Sequence, residues 1–233
     1  MPRPALLALL LVFTQTSFVP AADEPSSASK DGWIEMFNGT DLTGWVAEGT
    51  KEFAAKDAKK EDPKTPVWTV KDGMIHCAGN GFGFLRYDRE VTDFVYHVEF
   101  NMSKGCNSGI GIRHAKFTGK SETRPSFSGY EIQVLDDAGK MPTNHSTASL
   151  YRYVAATKSA VKPAGEWNTM EIECRGPKIK ITLNDEVVQD VDQSTIKEIK
   201  DKPLKGYVSV QNHGKAIEFK NLKLKALDET ASK

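Results

Sequence analysis

Cysteine is scarce: three residues in 233, Cys77, Cys106 and Cys174. An odd number leaves at least one unpaired within a monomer, so no disulfide framework holds this chain. Charge of one sign is also missing. The 31 Lys and Arg balance 31 Asp and Glu, which offers nothing for a nucleic acid or an anionic membrane to recognise. The five histidines, His76, His97, His114, His145 and His213, show neither HExxH nor another paired metal spacing, and the cysteines lack CxxC. No GxSxG elbow and no phosphate loop occurs. Helical periodicity never outlasts two turns, and no internal repeat is present. Zincins, nucleophile-elbow hydrolases, P-loop enzymes, helical bundles and solenoids are thereby set aside.

What is present begins with Arg3, an apolar run over residues 5–13, and small residues at Ala21 and Ala22. The run is too short to span a bilayer but long enough for the apolar region of a signal peptide, about 7–15 residues. Residues 1–21 are therefore expected to be a signal peptide, which places the protein in the periplasm or outside the cell. Residues 22–31, made of Ser, Ala, Pro and charge, read as a flexible leader. A single domain is expected over 32–227, with a charged insertion near 47–66 that is partly helical at most, and a flexible tail at 228–233.

Within the domain, short runs with period-2 alternation are separated by turn signals such as Asp72-Gly73 and Asn184-Asp185. About a dozen strands imply two packed antiparallel sheets, an all-β sandwich. Residues 150–154 read as one of these strands and 194–199 as a short helix. Cys77 and Cys174 fall in strand-like runs as small buried residues, whereas Cys106, in a Gly-rich turn, is the candidate exposed thiol.

Three strands carry polar groups on one parity. Gly109, Gly111 and Arg113 alternate with Ile110 and Ile112; Glu131 and Gln133 alternate with Tyr130, Ile132 and Val134; Ser209, Gln211 and His213 form the third set. As neighbours in a sheet, these strands would make a concave polar floor with aromatics such as Tyr151 and Trp45 at its rim. Planar bidentate groups, amides and aromatic faces suit a sugar, which has hydroxyls around an apolar C–H face. The competing reading is the ordinary solvent face of an antiparallel sheet, but a face rich in Gln and His favours a site. A further polar residue, Glu99, lies on the polar parity of the strand at 94–102. No cofactor is expected. Asp136, Asp137 and Asn144 offer oxygen ligands of the kind Ca²⁺ takes, although an acidic turn is more often only solvated.

The segments Asn107-Ser108-Gly109-Ile110-Gly111-Ile112-Arg113, Gly129-Tyr130-Glu131-Ile132-Gln133-Val134-Leu135-Asp136, Gly165-Glu166-Trp167-Asn168 and Val210-Gln211-Asn212-His213-Gly214 resemble the 3-keto-disaccharide hydrolase domain. That resemblance implies a concanavalin A-like jelly-roll sandwich related to family 16 glycoside hydrolases, and a carbohydrate substrate. It also implies cleavage of glycosides whose sugar is oxidised at C3. A C3 ketone acidifies the C2 proton, so one base suffices to start β-elimination of the anomeric substituent. Glu131 is the candidate base. Arg113 or His213 would stabilise the enolate oxygen, and His213 or Gln133 would assist the leaving group. Gln133, Gln211, Asn107, Tyr151 and Glu99 are candidate substrate-binding residues. Two alternatives stay open. One is a noncatalytic sugar-binding module. The other is a retaining glycosidase using Glu131-x-Gln133-x-x-Asp136, which needs carboxyls about 5–5.5 Å apart.

Overall fold

The computed structural model describes residues 31–49 and 66–227. The expected signal peptide, most of the leader, most of the charged insertion and the tail lie outside those residues. The described residues form thirteen strands: β1 (Trp33–Glu35), β2 (Trp45–Glu48), β3 (Trp68–Lys71), β4 (Met74–Cys77), β5 (Phe82–Tyr87), β6 (Phe94–Met102), β7 (Asn107–His114), β8 (Tyr130–Leu135), β9 (Trp167–Arg175), β10 (Lys178–Leu183), β11 (Glu186–Asp192), β12 (Tyr207–His213) and β13 (Ile217–Ala226). Among the described residues a single α-helix, the four-residue α1 (Pro125–Ser128), precedes β8. One sheet has the order β11-β10-β9-β6-β13-β4-β3, with β1 also on β13; the other has the order β2-β5-β12-β7-β8. All pairings between named strands are antiparallel.

The alternation read from the sequence sets the core. Phe94, Tyr96, Val98, Phe100 and Met102 of β6 point inward, facing an interior that Ile110, Ile112, Tyr130, Ile132, Val134, Val208 and Val210 of the other sheet also fill; all are buried. Burial of such side chains stabilises the fold by roughly 1.5–3 kcal/mol each. The turns at Asp72-Gly73 (φ 53° and 72°) and Asn184-Asp185 (φ 48° and 66°) have two successive left-handed residues. This is the twist that a two-residue hairpin requires.

Four expectations are corrected. Residues 150–154 form a turn held by isolated bridges from Leu150 to Ile132 and Val154, because Ala148 (φ 65°) and Arg152 (φ 77°) leave the extended region. Residues 194–199 form no regular helix; a 3₁₀ turn covers Gln193–Thr195. Trp45 lies in the core, its Nε1 donating to Met36 O at 2.7 Å, so it lines no rim. Cys106 is buried, as are Cys77 and Cys174, and all three are free thiols. Burial pushes each of them up to about 12, which removes the thiolate that reactivity needs.

Candidate functional site

The five-stranded sheet carries its polar residues in two rows set by strand register. Arg86, Ser209, Gly111 and Glu131 lie abreast, and beside them Phe84, Gln211 and, through β7, Gly109 and Gln133. Glycine at 109 and 111 is explained by what occupies the space. A Cβ on Gly109 would stand 2.9 Å from Glu131 Cγ and 3.0 Å from its Oε1, and one on Gly111 would stand 2.4 Å from Ser209 Oγ. The missing side chains let Glu131 lean across β7.

Arg113 does not join this face. It adopts a left-handed conformation (φ 50°) where the register of β7 against β12 shifts between Tyr207 and Ser209, a bulge that reverses side-chain parity. Added Cβ atoms on Gly129 and Gly206 would approach the Arg113 backbone to 2.5 Å, so two glycines admit the bulge. The Arg113 guanidinium is fully buried, donating to Thr92 O (Nη2, 2.8 Å) and Gly176 O (2.7 Å), and pairing with Asp93 at 3.0 Å. Its place on the polar face goes to His114. There Nδ1 donates to Ala115 O (2.7 Å), so Nε2 accepts from Ser209 Oγ (2.8 Å). Burial lowers His114 to about 4 and keeps it neutral.

Loops then cover most of the face. The segment following β7 brings Phe117 onto Phe82 and Phe84, with ring centroids 6.0 and 5.1 Å apart. Glu48 is occupied by Arg86 Nε (2.6 Å) and Phe117 N (2.9 Å). What remains open is a small cleft lined by Phe82, Asn107, Arg124, Ser126, Glu131, Gln133, Tyr151, Arg152, Gln211 and His213. Among the described residues Glu131 is its one carboxylate. It is 6% exposed, and burial pushes it up to about 7, against hydrogen bonds from Gln211 and Ser126 and the charges of Arg152 and Arg124, which pull it down. A carboxyl titrating there is matched to proton abstraction near neutral pH. Burial, then Arg124, holds His213 below its ordinary value, so its imidazole is neutral at pH 7.

The structure thus gathers Glu131, His213, Gln133, Gln211, Asn107 and Tyr151, and separates Arg113 and Glu99 from them. Glu99 belongs to β6 in the other sheet, where Asn221 Nδ2 donates to it at 2.6 Å and Lys220 stands 3.5 Å away. Asp136 Oδ2 accepts from Gly105 N (2.8 Å), Asp137 from Thr147 N (3.1 Å) and Oγ1 (2.7 Å), and Asn144 Nδ2 donates to Arg152 O (2.8 Å). These acidic and amide groups tie loops to β8. Among the described residues no group of three His, Cys, Asp or Glu side chains is arranged to hold a metal.

Arg124, Ser126, Arg152 and Phe82 were not anticipated as site residues. Arg124 and Ser126 lie in and beside α1, in a stretch whose composition is that of a polar loop. Arg152 is hidden by the strand-like pattern around it. Its left-handed backbone is clamped by Asn144, whose O accepts from Arg152 N at 2.8 Å and whose side chain meets Arg152 O. The guanidinium stacks 4.3 Å from the Phe127 ring centre. The same loop is bonded along β8: Gln133 N to Ser149 O (3.1 Å), Ala148 N to Gln133 O (2.8 Å) and Tyr151 N to Glu131 O (2.9 Å).

Known proteins share this architecture. The domain family described as 3-keto-alpha-glucoside-1,2-lyase-like matches residues 32–225. A Bacteroides thetaiotaomicron protein named 3-keto-disaccharide hydrolase is 29% identical over 243 aligned residues, covering 85% of this chain and 79% of the relative. The crystal structure of a candidate glycosyl hydrolase from Parabacteroides distasonis superposes with a TM-score of 0.66 at 25% identity, covering 84% of this chain and 99% of that one. The carbohydrate-binding module CBM66 from Bacillus subtilis shares the fold, with a TM-score of 0.52 at 16% identity over 78% of this chain and 96% of its own.

Proposed function

The chain belongs to the 3-keto-alpha-glucoside-1,2-lyase-like family and is a glycoside hydrolase, and from that premise we propose that it cleaves 3-keto-glycosides by removing the proton on C2. The observation that carries this reading is the lone buried carboxylate of the cleft, Glu131, titrating near 7. Retaining hydrolysis needs two carboxyls about 5–5.5 Å apart, and among the described residues the cleft offers one. Asp136, the second carboxyl of that alternative, does not line it.

In the proposed reaction Glu131 takes the C2 proton, and the electron pair moves toward C3 to give an enediolate. Its charge develops beside Arg152 and Arg124, the cleft's cations, in a partly desolvated site where such charges act strongly. The pair then returns: the C3 carbonyl reforms, C1=C2 forms and the C1–O bond breaks. The departing oxygen, hydrogen-bonded by His213, takes the proton that Glu131 now carries, which restores the carboxylate. Water adds across C1=C2, its hydroxyl to C1 and a proton to C2, and 3-keto-sugar is released. Gln133, Gln211 and Asn107 hold hydroxyls, and Tyr151 supplies an aromatic wall. Export through residues 1–21 is part of this reading, supported by the apolar run and the small residues after it.

Incubation with 3-keto-trehalose and 3-keto-glucosides, against their unoxidised counterparts, tests the proposal. Release of 3-keto-glucose from the oxidised substrates alone is expected. Turnover of ordinary β-glucans would refute the C2-proton route, and binding without release would leave a lectin.

A further inference from the structure

At the C-terminal end of α1, the Lys202 ammonium donates to Phe127 O (2.8 Å) and Gly129 O (2.7 Å) and lies 3.4 Å from Ser126 O. The last carbonyls of a helix have no partner within it. A cation there satisfies them and complements the helix dipole. Lys202 also lies over the rings of Tyr130 (5.3 Å) and Tyr153 (4.9 Å), and Tyr153 Oη donates to Ser126 O at 3.1 Å. The backbone of Lys202 is itself fixed, its O accepting from Gln193 Nε2 at 2.9 Å and its N donating to Ile199 O at 3.0 Å.

A helix of four residues cannot persist alone, since nucleation is unfavourable and short helices depend on tertiary contacts. Yet α1 and its flank carry two groups that line the cleft, Arg124 and Ser126, and a third, Phe127, on whose ring Arg152 stacks. We infer that Lys202 is a positioning residue, a clamp on the C-terminal end of α1 that keeps Arg124 and Ser126 against the Glu131 carboxylate. The inference rests on the proposed role of Glu131 for its effect on turnover, but its effect on Glu131 can be read without turnover. The groups facing that carboxylate are Ser126 and Arg124 from α1 and its flank, Arg152 from the loop after β8, Gln211 from β12 and Gly109 from β7, with His213 of β12, Tyr151 and Gln133 lining the same cleft. Only the first two depend on Lys202 directly.

Two readouts separate this role from general support of the fold. In the full-length protein, NMR titration of the Glu131 carboxyl carbon in Lys202→Met should move upward by about one pH unit, because two groups that favour the anion are released. The kcat/KM profile should shift with it, with about an eightfold loss at pH 6.5 that shrinks above pH 8, as the base ionises in both proteins and Lys202, which burial lowers to about 8, loses its own charge. Lys202→Arg should restore both. Ser126→Ala should raise the midpoint alone, and Lys202→Met should add less on top of it than it does by itself. Lys202→Gln, which retains an amide donor, serves if the Met variant does not fold. A folded Lys202→Met or Lys202→Gln protein whose Glu131 titrates as in the parent overturns the inference. A shifted midpoint together with full activity of Glu131→Gln would instead overturn the assignment of the base and leave the clamp standing.

Discussion

Glu131→Gln should make the protein more stable as well as inactive, and the gain should depend on pH in a definite way. The free carboxyl titrates at 4.5, and in the folded protein burial pushes it up to about 7. Below 4.5 the group is protonated in both states and contributes nothing that varies with pH. Between 4.5 and 7 the unfolded chain releases the proton while the folded protein keeps it, so stability falls as pH rises through this window. Above 7 both states are ionised and the loss is complete. At about 1.36 kcal/mol per tenfold change in proton affinity, the interval corresponds to roughly 3 kcal/mol. For a domain of this size that is on the order of 6–12 °C in Tm, an upper figure because solvent admitted to the cleft would reduce it. Glutamine has the same shape and never ionises. The Tm difference between variant and parent should therefore be small at pH 4, widen to pH 7, and stay level to pH 9. Thermal unfolding by circular dichroism over that range measures it. Parallel curves for the two proteins would show that Glu131 is not a desolvated carboxyl, and the proposed base would lose its physical basis.

Three other outcomes are expected. The kcat/KM on a 3-keto-glucoside should fall tenfold per pH unit as pH drops below about 7, since the base must be ionised; a profile flat to pH 5 would exclude Glu131 from that role. Gly109→Ala, whose new methyl group would stand 2.9 Å from Glu131 Cγ, should lower kcat by about 10²-fold with the fold retained, as steady-state kinetics and circular dichroism together would show. Arg113→Met should cost about 3 kcal/mol in urea unfolding by taking the guanidinium from Asp93, which keeps only Gly176 N as donor, and from the carbonyls of Thr92 and Gly176, with kcat of the folded protein little changed.

The sandwich was legible because nearly every strand obeys period-2 alternation, and because Asp72-Gly73 and Asn184-Asp185 announce their turns. The floor was legible for the same reason: Glu131, Gln133, Gln211 and His213 share a face by parity alone. Arg113 marks where that reasoning stops. One residue in a left-handed conformation reverses the parity of the residues after it, and nothing within Ile112-Arg113-His114 signals the bulge. The space that admits it is left by Gly129 and Gly206, distant in the chain. Arg152 was hidden for a related reason, since Leu150-Tyr151-Arg152-Tyr153-Val154 alternates like a strand while Asn144 holds it in a turn. Sites assembled by loops depend on such contacts between distant segments, which local pattern does not encode.

The loop bonded to β8 has a consequence for the protein's neighbours. A terminal strand of a sheet normally offers a row of free amides and carbonyls to which any passing extended segment can add. Here β8 is that terminal strand, and Glu131 O together with the N–H and C=O of Gln133 are already spent on Tyr151, Ser149 and Ala148. The strand bearing the proposed base is thus closed to aggregation and to strand exchange. Among its amides, that of Gln133 should be slow to trade hydrogen for deuterium.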